Sequence, residues 1–134
     1  VEVEQWLMWQ MGGLGPMAGQ AHHFRLYAPE KVPYGIDRYT KEVNRLYGVM
    51  NKRLADRDYL AGEFSIADIA CIGWARGWER QGQDIEQFPH LKAWLARMEA
   101  RPGVQRGLAV KADRALDLAS DKEAQKVLFG QTAR

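Results

Sequence analysis

Residues 65–78 have the sequence SIADIACIGWARGW, and this stretch indicates the fold class more clearly than any other. Its first four residues match the S-x-x-D pattern of a helix capping box, in which the Ser65 hydroxyl caps the amide of Asp68 and the Asp68 carboxylate accepts a hydrogen bond from the amide of Ser65. Phe64 and Ile69 complete the box as a hydrophobic staple. Because nearly all later positions are apolar or small, we predict a central helix that is buried on all sides.

Outside this stretch, apolar residues recur at the three- and four-residue spacing of amphipathic helices, and no strand pattern is present. Pro16 interrupts the first helical pattern, which leaves one kinked helix or two short helices, and we favour the kink. After it, the sequence predicts a loop over residues 28–36 and a helix over 36–54. Another helix is predicted to start at Pro89 and to end at Arg101-Pro102, and a short element follows over 104–110. A last helix is predicted to start in a second capping box at 120–123 and to end at Gly130. Residues 1–134 are therefore expected to form one all-α bundle with a central buried helix.

The composition excludes several classes of function. The chain has 134 residues, 46% of them hydrophobic and 27% charged, which is long enough to bury a core without disulfides. Nineteen Lys and Arg against 17 Asp and Glu give a net charge of +2, so bulk charge indicates neither nucleic acid nor an anionic membrane as a partner. No apolar run approaches the roughly 18 residues of a membrane span, and we expect a soluble protein. Cys71 is the only cysteine, so a CxxC site is excluded and a reducing, cytoplasmic compartment is expected.

Neither the histidines nor the cysteine forms a pattern typical of a metal or nucleophile site. His22 and His23 are adjacent, so on a helix their side chains point about 100° apart, and no Asp, Glu or Cys lies three or four positions away. We interpret both as structural or surface residues and expect no metal. Cys71 has no positive neighbour in helical register, so it is interpreted as a small core residue.

The segment Gly12-Gly13-Leu14-Gly15 lies beside the expected kink at Pro16. It lacks the spacing of a phosphate-binding loop and no strand precedes it, so phosphate binding is not predicted. The glycines permit the close approach either of another backbone or of a ligand, and the sequence does not separate these hypotheses. Trp9 lies off the main apolar stripe and near these glycines, so we single it out among the tryptophans.

Arg38 lies in the segment Tyr34-Gly-Ile-Asp-Arg-Tyr39, which we predict as the first turn of the second helix. A guanidinium in this place is able to bind a carboxylate through two parallel hydrogen bonds. The charge pattern alone favours a different interpretation, namely a solvated ion pair of Arg38 with Asp37 or Glu42.

Several segments together resemble a known family. They are QWLMWQMGGLGPM at 5–17, GQ at 19–20, HHF at 22–24, YGIDRY at 34–39, LAGEFSIADIA at 60–70 and LFGQ at 128–131. The chain resembles the all-α C-terminal domain of bacterial glutathione transferases, with the nu class, of disulfide-bond reductase type, as the most similar group. The resemblance implies a two-domain, homodimeric protein whose N-terminal thioredoxin-like domain lies outside residues 1–134. Because that domain carries the thiol-activating residues, no catalytic residue is named in this chain.

The resemblance also implies roles for four residues. The family's glutathione-binding arginine corresponds to Arg38, which overrides the ion pair that the charge pattern favours. Trp9, Met17 and Tyr39 are expected to line the pocket for the second substrate, a small electrophile or a disulfide, with glutathione as cosubstrate. The expected function is thiol transfer or glutathione-dependent disulfide reduction by the whole protein, and the chain alone is expected to be inactive.

Two further hypotheses come from other classes of function. Transferase-like helical domains also serve as stand-alone interaction modules without catalysis. The reading frame before Val1 separates this hypothesis from the enzyme, since a thioredoxin-like sequence there favours the enzyme and a start codon favours the module. A cofactor-binding four-helix bundle is disfavoured, because the sequence has no Glu-x-x-His pair.

Overall fold

The computed structural model describes residues 1–110, 113 and 117–133, and within them the chain is predominantly helical. The elements in order are α1 (Glu2–Trp9), a π-helical turn π1 (Gln10–Leu14), α2 (Gly15–His22), a second π-helical turn π2 (His23–Tyr27), α3 (Pro33–Arg53), α4 (Ile66–Ala75), a 3₁₀ turn (Ile85–Gln87), α5 (Pro89–Glu99), α6 (Pro102–Ala109) and α7 (Lys122–Phe129). In the described part of the chain, the only β pairing is a pair of isolated bridges within residues 59–63. The predicted all-α fold is confirmed. No helix in the described ranges is both long and apolar enough to cross a membrane.

The first helical region is interrupted but not broken. The chain remains helical over residues 2–27, so one irregular helix forms rather than two separate ones. The irregularity precedes Pro16: in π1 the hydrogen bonds span five residues, and the Gly15 amide donates to the carbonyl oxygen of Gln10. Pro16 has no N–H to donate and its ring crowds the preceding turn, so a wider π turn accommodates it without ending the helix.

Helix α3 begins at Pro33, three residues before the predicted start at Ile36. The proline itself is the reason, because its fixed φ suits the first position of a helix and its missing N–H would have no partner there. Arg38 therefore lies in the second turn of α3, and its predicted place in the first turn is wrong. The predicted amphipathic pattern is confirmed, since the inner face of α3 is buried at Val43, Leu46, Tyr47 and Met50.

Helix α4 begins with the predicted capping box. The Asp68 carboxylate accepts a hydrogen bond from the Ser65 amide at 3.1 Å, and the Ser65 hydroxyl accepts from the backbone amides of Asp68 and of Ala67, the latter at 3.3 Å. The predicted burial on all sides is wrong, because Ile66 and Ile69 are 56% and 53% exposed. Helix α4 packs on α1, α2 and α5 with one face, and the two isoleucines lie on the face that is left open.

Asp68 is also a polar centre of the core, which the capping pattern did not predict. Its side chain has no exposed surface, and beyond the Ser65 amide it accepts hydrogen bonds from the Leu60 amide at 3.1 Å and the Trp94 indole N–H at 2.9 Å. One carboxylate thus connects the turn before α4, α4 itself and α5. Cys71, on the same helix, is fully buried as predicted, and burial raises its pKa to about 12.

The C-terminal helices form where the local sequence patterns predict them, except that the N-cap residue of α7 differs from the predicted one. Helix α5 begins at Pro89 as predicted, and the short element predicted after it is α6. The N-cap of α7 is Asp121, whose side chain accepts a hydrogen bond from the Ala124 amide at 2.9 Å. The predicted cap at Ser120 is wrong, because the Ser120 hydroxyl instead donates to Asp117 Oδ2 at 2.7 Å.

Candidate functional site

A groove of about 620 Å³ lies where the first helical region, α4 and α7 meet. Residues of π1 and α2 form one wall, Trp74 at the end of α4 forms a second, and Phe129 at the end of α7 forms a third. Met11, Pro16 and Gly19 lie beside the two aromatic rings and make the lining mainly apolar. A concave apolar space of this size fits a small organic ligand.

Gln10 brings a polar group into this groove. The residue is only 5% exposed, and its carboxamide has no hydrogen-bond partner within the described residues. Gly15 makes room for the carboxamide beside Trp74, since a Cβ atom at Gly15 would lie 3.0 Å from the indole Nε1 and 3.1 Å from Nε2 of Gln10. Gly15 therefore allows two polar side chains to approach its backbone closely. The sequence-based hypotheses predicted the approach of another backbone or of a ligand instead.

Aromatic contacts join α7 to π2 at one end of the groove. The ring of Phe129 meets the imidazole of His23 edge to face with centroids 4.9 Å apart, and it stacks on Tyr27 at 5.7 Å. His23 therefore has the structural role that the sequence predicted, and its imidazole also borders the groove.

His22 precedes His23 in the same continuous helical region and is half-buried, and its imidazole centroid lies 6.2 Å from that of the Trp74 ring. Burial lowers its pKa, and the positive charge of Arg80 lowers it further. Its Nε2 atom has no hydrogen-bond partner among the described residues. No three His, Cys, Asp or Glu side chains in that part of the chain lie together in a way that would hold a metal ion.

The three residues predicted for the second-substrate pocket lie apart, and none of them lines this groove. Trp9 borders a separate hollow of about 340 Å³, and its ring lies 5.1 Å from that of Trp6. Met17 packs against the core, and Tyr39 stacks on Phe24 with ring centroids 5.4 Å apart. Their role in binding a substrate stays a prediction.

One feature of the sequence indicates the groove. Gln10 falls on the apolar stripe of the first helix, and a polar residue at a core position is informative. Trp74 offered no comparable signal, because its place in α4 indicates only core packing. Its approach to Gln10 depends on how α4 packs on π1.

Arg38 is exposed on α3, and neither of the ion pairs that the charge pattern favoured is present. Asp37 pairs with Lys41 at 2.8 Å. Glu42 accepts two hydrogen bonds from the Arg45 guanidinium, at 2.8 and 2.9 Å. The bonds from Arg45 lower the pKa of Glu42, and the more distant charge of Arg38 adds a smaller decrease. Within the described residues, the Arg38 guanidinium forms no salt bridge.

The chain matches a known family over most of its length. Residues 16–102 fit the family model described as "Glutathione S-transferase, C-terminal domain". The disulfide-bond oxidoreductase YfcG of Escherichia coli is 51% identical over 105 residues, which cover 78% of this chain and 49% of that protein.

Solved structures agree with this match. A glutathione transferase from Burkholderia graminis with two glutathione molecules bound per subunit has a TM-score of 0.76 at 40% identity, covering 85% of this chain and 50% of its own. One from Pseudomonas putida with one glutathione disulfide per subunit also has a TM-score of 0.76 at 40% identity, covering 82% and 51%. The chain thus spans about half the length of these relatives. On these matches in sequence and fold, the chain belongs to the glutathione S-transferase family, in which it corresponds to the C-terminal helical domain.

Proposed function

We propose that this chain is the helical half of a glutathione-dependent enzyme that transfers the thiol to a small electrophile or reduces a disulfide. Glutathione supplies the reactive thiolate in that chemistry, and a thioredoxin-like half of the same protein activates it. The relatives favour this function, since one is a disulfide-bond oxidoreductase and the solved structures hold glutathione or its disulfide. The chain has a single cysteine, Cys71, which is expected to stay reduced, and this favours the cytoplasm as the location of the protein.

The observation that carries the proposal is the unpaired guanidinium of Arg38. Glutathione has two carboxylates, and a guanidinium orients a carboxylate through two parallel hydrogen bonds. The neighbouring acids Asp37 and Glu42 are already paired with Lys41 and Arg45, so no described acidic side chain competes for Arg38. We therefore assign the glutathione contact of this chain to Arg38.

The exposed face of α4 is evidence that another domain covers it. Ile66 and Ile69 are exposed there, and a neighbouring hollow of about 600 Å³ is lined by Phe64, Ile69, Pro102 and Val104 among others. Exposed apolar surface of this kind is typical of an interface. Since the chain spans about half of its relatives' length, we propose that the thioredoxin-like half packs on this face.

The groove beside Gly15 is proposed as this chain's wall of the second-substrate pocket. The lining of the groove is apolar, and it suits an electrophile or a disulfide better than the lining of the hollow beside Trp9 does. Met17 and Tyr39 remain predictions for the same pocket. A homodimer is proposed from the family alone, and light scattering of the whole protein tests it.

Isothermal titration calorimetry with glutathione tests the function. The protein for this test is the whole product of the reading frame, with the thioredoxin-like half in place. Arg38→Ala is expected to weaken glutathione binding by about 1.5–3 kcal/mol, the range for a charge-assisted contact. Arg45→Ala is the matched control, because Arg45 lies two turns further along the same face of α3 and is held by Glu42.

Unchanged glutathione affinity in Arg38→Ala, or an equal loss in both variants, would remove Arg38 from the site. A start codon directly before Val1 would instead favour the stand-alone interaction module, whose partner would then cover the open face of α4.

A further inference from the structure

We infer that Tyr27 and Arg80 are positioning residues for the groove, because together they hold the ring of Phe129 in place as its third wall. Neither of these two described residues lines the groove itself. They act through Phe129 and so set the gap between this ring and Trp74, and with it the thickness of the apolar molecule that fits. The inference rests on the proposed function only in taking the groove as the second-substrate pocket.

Phe129 needs support from outside its own helix, because α7 buries little of its surface. Within α7, all eight of whose residues are described, none is buried. Val127 and Leu128, the two residues before Phe129, are 61% and 52% exposed. A helix with so little buried apolar surface is easily displaced. The place of the Phe129 ring is therefore decided by the groups that the ring itself contacts.

Two rings of π2 contact Phe129 from different directions. The Tyr27 ring stacks on it, with centroids 5.7 Å apart and planes inclined by 27°, and the His23 imidazole meets it edge to face at 4.9 Å. Both arrangements are favourable for aromatic pairs. Because one neighbour is stacked and the other lies at a steep angle, the Phe129 ring has little freedom to slide or tilt. A movement of Tyr27 would therefore move Phe129 as well.

Arg80 fixes the ring of Tyr27 through the hydroxyl group. The guanidinium Nη2 donates a hydrogen bond to the Tyr27 hydroxyl oxygen at 2.8 Å, although the two residues lie 53 positions apart. A bond at the far end of the side chain stops the ring from swinging about its Cα–Cβ bond, and a charged donor makes this bond stronger than a neutral one. Within the described residues, Arg80 forms no salt bridge, so the Tyr27 hydroxyl is the group that its side chain binds.

A second arginine fastens the backbone of Arg80 to π2. The Nε atom of Arg25 donates a hydrogen bond to the Arg80 carbonyl oxygen at 3.2 Å. The Arg25 guanidinium lies over Gly82, where a Cβ atom would come within 2.4 Å of Nη1, and the φ of +73° at Gly82 also favours glycine. Two hydrogen bonds in opposite directions thus join residues 80–82 to π2. Together they hold Arg80 where its side chain reaches Tyr27.

Binding of N-phenyl-1-naphthylamine tests the inference. This uncharged aromatic probe fluoresces more strongly in apolar surroundings, and it is titrated into the whole product of the reading frame without glutathione. Phe129→Ala removes the wall and should weaken binding about tenfold. Tyr27→Phe and Arg80→Gln each remove the hydrogen bond and keep most of the side chain, so each should weaken binding about threefold. Because both remove the same bond, the double variant should lose no more than either single variant.

Arg76→Gln is the matched control for the loss of a positive charge. Arg76 lies four residues before Arg80 and is also exposed, but its guanidinium only approaches Glu99, at 4.0 Å. Probe affinity should therefore be unchanged in this variant. Far-UV circular dichroism of every variant checks that the helices are retained.

The His23 imidazole gives a direct signal for the place of the Phe129 ring. Because the two rings lie 4.9 Å apart, the ring current of Phe129 shifts the proton resonances of His23. These resonances are identified by their absence in His23→Gln. In Tyr27→Phe and in Arg80→Gln they should move toward the positions that they have in Phe129→Ala. A loss of stability alone would not move them in the folded protein.

Unchanged probe affinity in both Tyr27→Phe and Arg80→Gln, or His23 resonances that stay in place in both, would overturn the inference. Additive losses in the double variant, an equal loss in Arg76→Gln, or full affinity in Phe129→Ala would overturn it as well. No glutathione is present in these titrations, so their failure is separate from a failure of the Arg38 experiment.

Discussion

Replacing Asp68 by alanine tests the core that the structure reveals, because the expected loss differs sharply from that of a simple helix cap. The capping pattern alone predicts about 1–2 kcal/mol for either Asp68 or Ser65. In the structure, however, the fully buried carboxylate accepts hydrogen bonds from Ser65, Leu60 and Trp94 at 2.9–3.1 Å. Removing it leaves three N–H donors unpaired, and because each buried donor without a partner costs about 1–3 kcal/mol, we take about 3–5 kcal/mol for the three together. We expect Asp68→Ala to lower the free energy of unfolding by that amount.

Urea unfolding followed by tryptophan fluorescence and far-UV circular dichroism measures this loss by linear extrapolation. Ser65→Ala is the control, since it removes only the half-buried capping hydroxyl and leaves the Asp68 carboxylate in place, and it should lower the free energy of unfolding by about 1 kcal/mol. If Asp68→Ala is too unstable to measure, Trp94→Phe removes one of the three donors and should lower the free energy by about 1–2 kcal/mol. Equal losses in Asp68→Ala and Ser65→Ala would refute the role of Asp68 as a centre of the core.

Three further predictions concern other parts of the molecule. Because burial and Arg80 lower the pKa of His22 below its usual 6.5, the unfolded chain binds this proton more readily, and the free energy of unfolding should decrease as the pH falls below 6.5. In His22→Gln this part of the pH dependence should vanish, and equal slopes in urea melts of both proteins would contradict the assignment. Since burial raises the pKa of Cys71 to about 12, a thiol reagent at mildly alkaline pH should label the chain only in denaturant, and rapid labelling of the folded chain would be contrary to expectation. Gly48 lies inside α3 with open space where a Cβ would be, so Gly48→Ala should raise the free energy of unfolding by about 0.5–1 kcal/mol in thermal or urea melts, and a decrease would contradict this.

The parts of the fold that were predictable are those that depend on neighbours in sequence. The box at Ser65 and Asp68 and the proline at position 89 mark helix starts, because capping involves residues only two or three positions apart. The start of α3 at Pro33 differs from the predicted start at Ile36, because a proline is typical of a loop and also suits the first turn of a helix. The cap at Ser120 was wrong because Asp121 competes for the same amide groups at the next position.

The candidate site was less predictable, for a physical reason that Gln10 illustrates. Its sequence position indicates a buried polar residue, but the identity of its neighbour Trp74 depends on the packing of two helices that lie far apart in sequence. The ion pairs around Arg38 were also not predictable, although these residues are close together in the sequence. Several cations compete for Asp37 and Glu42, and the side-chain geometry decides that Lys41 and Arg45 take them.

The sequence by itself determined the all-α class, most helix starts and the family, because periodicity, capping and short motifs act within one or two turns of a helix. Only the tertiary structure decided that Ile66 and Ile69 face outward and that the side chains of Gln10 and Trp74 pack closely against Gly15. Such features arise from the packing of distant elements, where one helix face is covered and another is left open, and no local pattern specifies which.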